Sequence, residues 1–408
     1  MTSKWQQAIV SDFIEFNPKV SLKKGTLAKK ISMEKILPFN KNITGYEWSE
    51  FSGGTKFENG DTLLARITPC LENGKTSLVN NLEKGEKAFG STEFIVMRAI
   101  KEISDPQYVY YLAISPFFRD YAIKSMAGTS GRQRVQVDLL KNLSILLPPL
   151  EEQKRIGEFL SEIDEKINCN QQINDNLENQ IKTLFKKIFI SNNSINWKKG
   201  TFSDLIIDII SGDWGKETPT EKYNKKVYCI RGADIPTLNQ GYIGNMPTRY
   251  VQIKSYQKKQ VVPNDIIVEI SGGSPTQSTG RASYMSNTVV KQHENAILCT
   301  NFCKVLRPFE EYGLFMYYYW LYLYDLGVFF SYENGTTGIK NLDIKGFISD
   351  FTIKIPPIKT IKYFNDICTP LLEHVYSNGI QKDVLENVRD RLLPKLMSGE
   401  IDVSSIKL

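Results

Sequence analysis

The sequence has few of the residues that most often bind metals or act as nucleophiles. It holds two histidines, His293 and His374, and six cysteines, Cys70, Cys169, Cys229, Cys299, Cys303 and Cys368, with no CxxC pair. Such scatter excludes a zinc knuckle and a disulfide framework, leaving structural free thiols and no expected metal. A run of about 18 apolar residues free of charge, the minimum for a membrane helix, is also missing. The richest stretch, Leu314 to Phe330, carries five tyrosines and Asp325, so no span is expected. Residues 1–10 hold Lys4, Trp5, Gln6 and Gln7 where an export signal needs an apolar core, so a cytoplasmic protein is expected. A net charge of +6 is too small to select a nucleic acid over a neutral partner.

What the chain does have is a tandem repeat. Its 408 residues fit two domains of roughly 150 residues each. Asp175-Asn-Leu-Glu-Asn179 aligns without gaps on Asp383-Val-Leu-Glu-Asn387, and Pro148-Pro149-Leu150 on Pro356-Pro357-Ile358. Upstream, Gly128-Thr-Ser-Gly131 corresponds to Gly335-Thr-Thr-Gly338, Ser91-Thr-Glu-Phe94 to Cys299-Thr-Asn-Phe302, and Trp5 with Ser11-Asp12-Phe13 to Trp197 with Ser203-Asp204-Leu205. Between these markers the halves diverge. One frame therefore carries two different variable regions, the pattern of two related domains that read different things.

The repeated element has helical spacing. Ile156, Leu160, Ile163, Ile167, Asn170, Asn174, Leu177, Ile181, Leu184 and Ile188 alternate steps of four and three, which is a heptad seam. The second copy reads Phe364, Cys368, Leu371, Val375, Asn378, Lys382, Leu385, Arg389, Leu392 and Leu396, with Gly379 and Pro394 predicting a bend or fraying. Two equivalent helices are expected to pair antiparallel about a pseudo-two-fold axis. Asn170, Asn174, Asn378 and Lys382 would then form polar layers that fix the register.

Catalytic motifs come close and fail at the decisive residue. Asn73-Gly74-Lys75-Thr76 resembles the end of a phosphate loop, but Pro69 stands where its first glycine belongs. Pro148-Pro149 and Pro356-Pro357 have the shape of an adenine methyltransferase di-proline, yet Leu147 and Ile355 replace its polar residue, and Leu150 and Ile358 its aromatic. Asp265 and Glu269 have nuclease-like spacing, but Ser271 occupies the lysine position. No active site is expected in this chain.

Two loop types recur in the variable regions, roughly residues 17–125 and 208–331. One follows a strand-like run and offers Arg66 and Lys75 in the first half, and Ser271, Ser274, Thr276, Gln277 and Arg281 in the second. The other offers Thr129, Ser130, Arg132, Gln133 and Arg134, matched by Thr336, Thr337, Lys340 and Asn341. Arg and Lys suit guanine or phosphate, while Asn and Gln suit adenine, so these are the candidate DNA-binding residues. The aromatic cluster Phe315, Tyr317, Tyr318, Tyr319, Trp320, Tyr322 and Tyr324 interleaves with Leu314 and Leu321, which predicts a packed helix rather than a stacking platform for bases.

The order variable region, Gly-Thr-Ser/Thr-Gly loop, Pro-Pro-Leu/Ile and long helix, given twice and closing in Arg391-Leu-Leu-Pro-Lys-Leu-Met-Ser-Gly-Glu-Ile401, resembles the DNA-specificity subunits of type I restriction-modification systems over essentially the whole chain. Pro148-Pro149-Leu150-Glu-Glu-Gln-Lys-Arg-Ile156 carries the most specific part of the likeness, while Lys359-Thr360-Ile361-Lys362 departs from it in the second copy. The resemblance implies an α+β protein: two similar mixed α/β target-recognition domains, residues 1–148 and 192–356, joined by long helices at 149–191 and 357–398 that form an antiparallel coiled coil, with a tail at 399–408. It further implies that each domain reads one half of an interrupted duplex DNA sequence in the major groove. The helices would set the gap and dock two modification (methyltransferase) subunits, which carry S-adenosylmethionine, and restriction/translocase subunits would join them. The chain itself would bind no cofactor. A recognition subunit of a related type II enzyme and a scaffold that binds no DNA are the alternatives.

Overall fold

A computed structural model describes residues 5–191, 197–242, 244–274, 276–335 and 339–403. Two units emerge: residues 1–166 with 385–408, and residues 167–384. Each long helix contributes residues to both units.

In unit 1, Gln6–Ile9 pairs antiparallel with Ser144–Leu147 and ties the start of the domain to the strand before the central helix. Next come two four-stranded sheets. The first, antiparallel, runs in the order Ile14–Phe16, Phe94–Ala99, Thr62–Ala65, Thr76–Leu78. The second is mixed, in the order Glu47–Glu50, Leu27–Ile31, Lys87–Gly90, Thr55–Glu58, with its middle pair parallel. Helices Pro106–Ile114 and Pro116–Lys124 start where the sequence says they should. Asp105 and Ser115 cap them, and proline fills the first position, where no amide hydrogen is needed.

Unit 2 repeats this frame. Lys198–Thr201 pairs with Thr352–Ile355, and the antiparallel sheet runs Ile206–Ser211, Cys303–Pro308, Ile266–Glu269, Ala282–Tyr284. The mixed sheet keeps three strands, Thr248–Val251, Lys225–Ile230 and Ile297–Cys299. The aromatic cluster forms the helix Gly313–Asp325, whose Phe315, Tyr317, Tyr318 and Trp320 are buried in the unit's core.

An ion pair is duplicated with the frame. In unit 1, Arg98 donates to both oxygens of the buried Asp61 at 2.6 and 2.7 Å. In unit 2, Arg307 does the same to Asp265 at 2.9 and 2.8 Å. Each aspartate also accepts a backbone N–H, from Glu58 and from Val262, both at 2.8 Å. Asp265, half of the nuclease-like spacing, is thus a structural residue.

The central helix is Leu150–Phe185, continued by a π-helical turn over Lys186–Ser191, and the C-terminal helix is Ile358–Met397. Within unit 1, Ile156, Phe159 and Leu160 pack with Leu393 and Leu396, and Arg389 donates to Asp164 at 2.7 Å. Within unit 2, Asn170 donates to Gln381 at 2.7 Å, Asn174 to the Val375 carbonyl at 2.9 Å and Asn378 to Asn174 at 2.9 Å, while Lys382 bonds Gln171. As the position on one helix rises, its partner's falls, so the pairing is antiparallel. Leu177, Ile181, Leu184, Leu371 and Val375 join the unit 2 core; Ile163 and Leu392 join the helix-pair cluster of unit 1, and Ile167 and Leu385 are half-buried.

The C-terminal helix is unbroken through both Gly379 and Pro394, so the fraying expected there is not seen. Gly379 serves another purpose. A Cβ there would lie 2.4 Å from the Gln240 carbonyl oxygen, and Gly241, at φ +83°, presses on the same turn. Glycine at 379 lets a loop backbone touch the helix backbone. At the other end of the chain, Gly399 turns at φ +73° beneath the Trp5 ring and Val403 is buried, so the expected tail packs as far as residue 403.

Candidate nucleic-acid interface

The two recurring loops, far apart in sequence, lie side by side in each unit. In unit 1 the strand Thr62–Ala65 runs into Arg66, whose carbonyl accepts from Val135 N at 2.9 Å, and Thr68 N donates to the Gln133 carbonyl at 3.0 Å. Ile67 and Ala127 each bridge to Arg134. In unit 2 the strand Ile266–Glu269 continues into Ser271–Gly272, which pairs with Lys340–Leu342, itself paired with Glu333–Asn334. Ser271 faces Asn341 as Ile67 faces Arg134. A backbone ladder thus fixes the same loop pairing twice, over different side chains.

Strand pairing also corrects the alignment of the halves. Gly90 ends a strand parallel to Leu27–Ile31 as Cys299 ends one parallel to Lys225–Ile230. Arg66 N donates to the Glu93 carbonyl at 2.9 Å, and Ile270 N donates to the Phe302 carbonyl at 2.8 Å. Glu93 therefore corresponds to Phe302 and Phe94 to Cys303, one residue away from the match of Ser91–Phe94 with Cys299–Phe302. Similar letters on either side of a tight turn had hidden the shift.

The candidate cations meet acidic partners inside the chain. Arg134 grips Glu93 with Nε at 3.0 Å and Nη2 at 2.7 Å, and Arg66 Nε lies 3.9 Å from the same carboxylate. Hydrogen bonding from Arg134 holds the Glu93 carboxyl below its ordinary range. Arg281 clasps Glu269 at 2.8 and 2.7 Å. Lys340 donates to Glu333 at 2.8 Å and to the Ser274 carbonyl at 3.2 Å. Burial pushes Glu333 up, but hydrogen bonds from Lys340 and Thr279 outweigh it and leave the carboxyl lowered. Lys75 is turned onto the Met33 carbonyl at 3.0 Å. Arg132 differs: it is exposed at the loop tip and forms no ion pair among the described residues.

The neutral candidates stay at the surface. Thr129 and Ser130 are exposed between Gly128 and Gly131, which take φ +131° and +76°, and Gln133 is half-buried. Ser274 Oγ accepts from Thr276 N at 3.3 Å and Gln277 N at 3.1 Å, closing a turn that leaves Thr276 and Gln277 exposed. Ser271 Oγ donates to Asn341 Oδ1 at 2.5 Å. Thr336 and Thr337 lie outside the described residues.

Beside each loop pair is a cleft that sequence reasoning missed. In unit 1 it measures about 640 Å³ and is lined by Asn17, Lys19, Lys56, Arg66, Thr92 and Phe94, among others. In unit 2 it measures about 480 Å³ and is lined by Trp214, Arg231, Glu269, Ser271, Asn301 and Phe302, among others. Their linings come from distant segments, so no local motif announces them. Among the described residues no group of three or more His, Cys, Asp or Glu could hold a metal ion.

Gln153, the glutamine of the motif after Pro149, is also explained. It is buried, donates to the Ile103 and Pro148 carbonyls at 3.1 and 2.9 Å and accepts from Asp105 N at 3.1 Å. Its counterpart Ile361 is buried in the unit 2 core. The departure of the second copy exchanges a polar anchor for an apolar one inside the fold.

One frame, given twice with the same loop pairing and different side chains on it, defines a protein of two like domains built to one plan. The chain belongs to the type I restriction modification DNA specificity domain family, which it matches twice, over residues 2–179 and 194–375. It is similar to the EcoAI specificity subunit of Escherichia coli, 31% identical over 159 residues, 37% of this chain and 26% of that protein. It thus spans about a quarter of that relative's length. The HindI specificity subunit of Haemophilus influenzae matches more fully, 24% identical over 84% of this chain and 87% of that one. In fold the chain is similar to the S subunit of the type I restriction-modification system of M. genitalium, with a TM-score of 0.59 and 16% identity over 97% of this chain and 96% of that one.

Proposed function

We propose that this chain is the sequence reader of a type I restriction-modification complex and performs no chemistry itself. Each unit contacts one half of a divided duplex sequence through its paired loops. The helix pair holds the two readers at a set spacing and docks two modification subunits. S-adenosylmethionine belongs to those subunits, which methylate adenine, and restriction subunits join the same assembly. The observation that carries this reading is the duplication itself: a constant backbone ladder presents Arg66, Glu93 and Arg134 in one unit, and Ile270, Phe302 and Asn341 at the equivalent places in the other. Divergence confined to a conserved frame is what selection for two different targets leaves behind.

The internal ion pairs bear on how DNA would be held. Arginines already neutralised by Glu93 or Glu269 contribute little to the counterion release that drives non-specific binding. Their donors are oriented instead, which favours contacts that discriminate over contacts that only attract. Mapping methylated adenines in host DNA with and without this gene tests the reading. One divided motif should vanish with the gene; an unchanged methylation pattern excludes the role.

A further inference from the structure

Once the strand register is corrected, three positions form a matched layer beside each cleft. In unit 1 the layer is charged. Glu93 gathers Arg134 and Arg66, and Arg66 Nε, shut off from solvent, makes no hydrogen bond. In unit 2 none of the three positions carries charge. Ile270 replaces Arg66, Phe302 replaces Glu93, and Asn341 replaces Arg134.

Two features of the second layer point outward. Phe302 is 56% exposed, and it lines the cleft of about 480 Å³ together with Ser271. Asn341 is exposed too, and among the described residues its side chain makes one bond, through Oδ1, which accepts from Ser271 Oγ. Its Nδ2 donors and the second Oδ1 lone pair remain available. Asn341 is held by the ladder to Ser271 and Asn334, so its backbone is fixed before any ligand arrives. Ser271 links the two, its N donating to the Phe302 carbonyl at 3.3 Å and its Oγ to Asn341. An apolar ring and an amide joined through one residue fit one ligand chemistry well: the major-groove edge of an A·T pair. There the thymine methyl is apolar, and adenine offers N7 as acceptor and N6 as donor. The Arg66–Glu93–Arg134 layer of unit 1 differs in having no apolar group to set against the thymine methyl.

We propose that Phe302 and Asn341 are specificity-determining residues of unit 2 and together read an A·T pair in the second half of the target. This rests on the DNA-reading role proposed above. The experiment uses the full chain assembled with its modification subunit and a duplex DNA library randomised in both halves, with methylated products sequenced. For Phe302→Ala and for Asn341→Ala, the preference for A·T over G·C at one position of the second half should fall about tenfold or more, with the first half unchanged. Replacing Ile270→Arg, Phe302→Glu and Asn341→Arg together should abolish the wild-type second half. Phe302 is largely solvated and Asn341 lies on the surface, so their truncation spares the core. If one variant fails to assemble, the other still decides.

The proposal is overturned if both single variants keep the wild-type second half, if only the first half changes, or if the wild-type second half contains no A·T pair. A wild-type complex that methylates without sequence preference would instead overturn the DNA-reading role itself, which separates the two failures.

Discussion

At the scale of single residues, unit 1 is organised around a buried charge. Asp164 on the central helix accepts from Arg389 on the C-terminal helix at 2.7 Å and from the Tyr111 hydroxyl at 2.6 Å, while the buried Lys41 donates to Ser161 at 2.6 Å. Burial lowers the Lys41 pKa, opposed by the nearby Asp164 and Glu165 carboxylates. An Asp164–Arg389 pair adds little over apolar residues of the same shape, but losing Asp164 leaves the buried Arg389 to the exposed Asp390, 2.8 Å away. Asp164→Ala should therefore cost about 3–5 kcal/mol of stability, whereas Asp164→Leu with Arg389→Leu should cost much less. Calorimetry on the three proteins checks this, with hydrogen exchange at residues 156–164 as the local readout. Equal losses in the single and double variants would mean that the pair itself, not the stranded charge, supplies the stability.

At the scale of elements, the sequence was most informative where one periodicity governs many residues. The heptad series named the seams of both helices because burial of every third or fourth residue leaves a mark that survives divergence. Asp12 and Asp204 were legible for a related reason: each accepts the backbone N–H three residues earlier, from Ile9 at 3.2 Å and Thr201 at 2.8 Å, and few side chains can do so. The ladder joining Ser271 to Asn341 was not legible. Neither were the partners of Arg134 and Lys340, because Glu93 lies in the turn before Phe94–Ala99 and Glu333 on another strand, and no local rule connects them. Gly379 shows how propensity misleads. Read alone it is a helix breaker; in place it admits the loop at Gln240 and Gly241. Alanine at 379 would gain about 1 kcal/mol in helix propensity, yet its Cβ would sit 2.4 Å from a carbonyl oxygen. Gly379→Ala should thus lower the melting temperature of the chain and expose the Gly241 loop to proteolysis. A raised melting temperature would show that the loop yields without cost.

At the scale of the whole molecule, the helix pair decides how a spacer can be changed. The central helix, at 36 residues, is about 54 Å long at 1.5 Å per residue, roughly one and a half turns of duplex. Lengthening it alone cannot work as a clean change. Asn170, Gln171 and Asn174 are bonded to Gln381, Lys382, Val375 and Asn378, so an insertion on one side breaks every bond beyond it or forces a bulge. A heptad inserted in both helices, after Lys166 and before Leu385, leaves each of these bonds intact, keeps the seam in phase and adds about 10 Å. Under the proposed reading, methylation mapping should then find both half-sequences unchanged and the unread gap longer by about three base pairs, given one turn of duplex per roughly 34 Å. Insertion of four residues in both helices would rotate the seam and should abolish methylation. If the paired heptad insertion alters either half-sequence, or leaves the gap at its original length, the helices are not the spacer, and the gap must be set by the modification subunits instead.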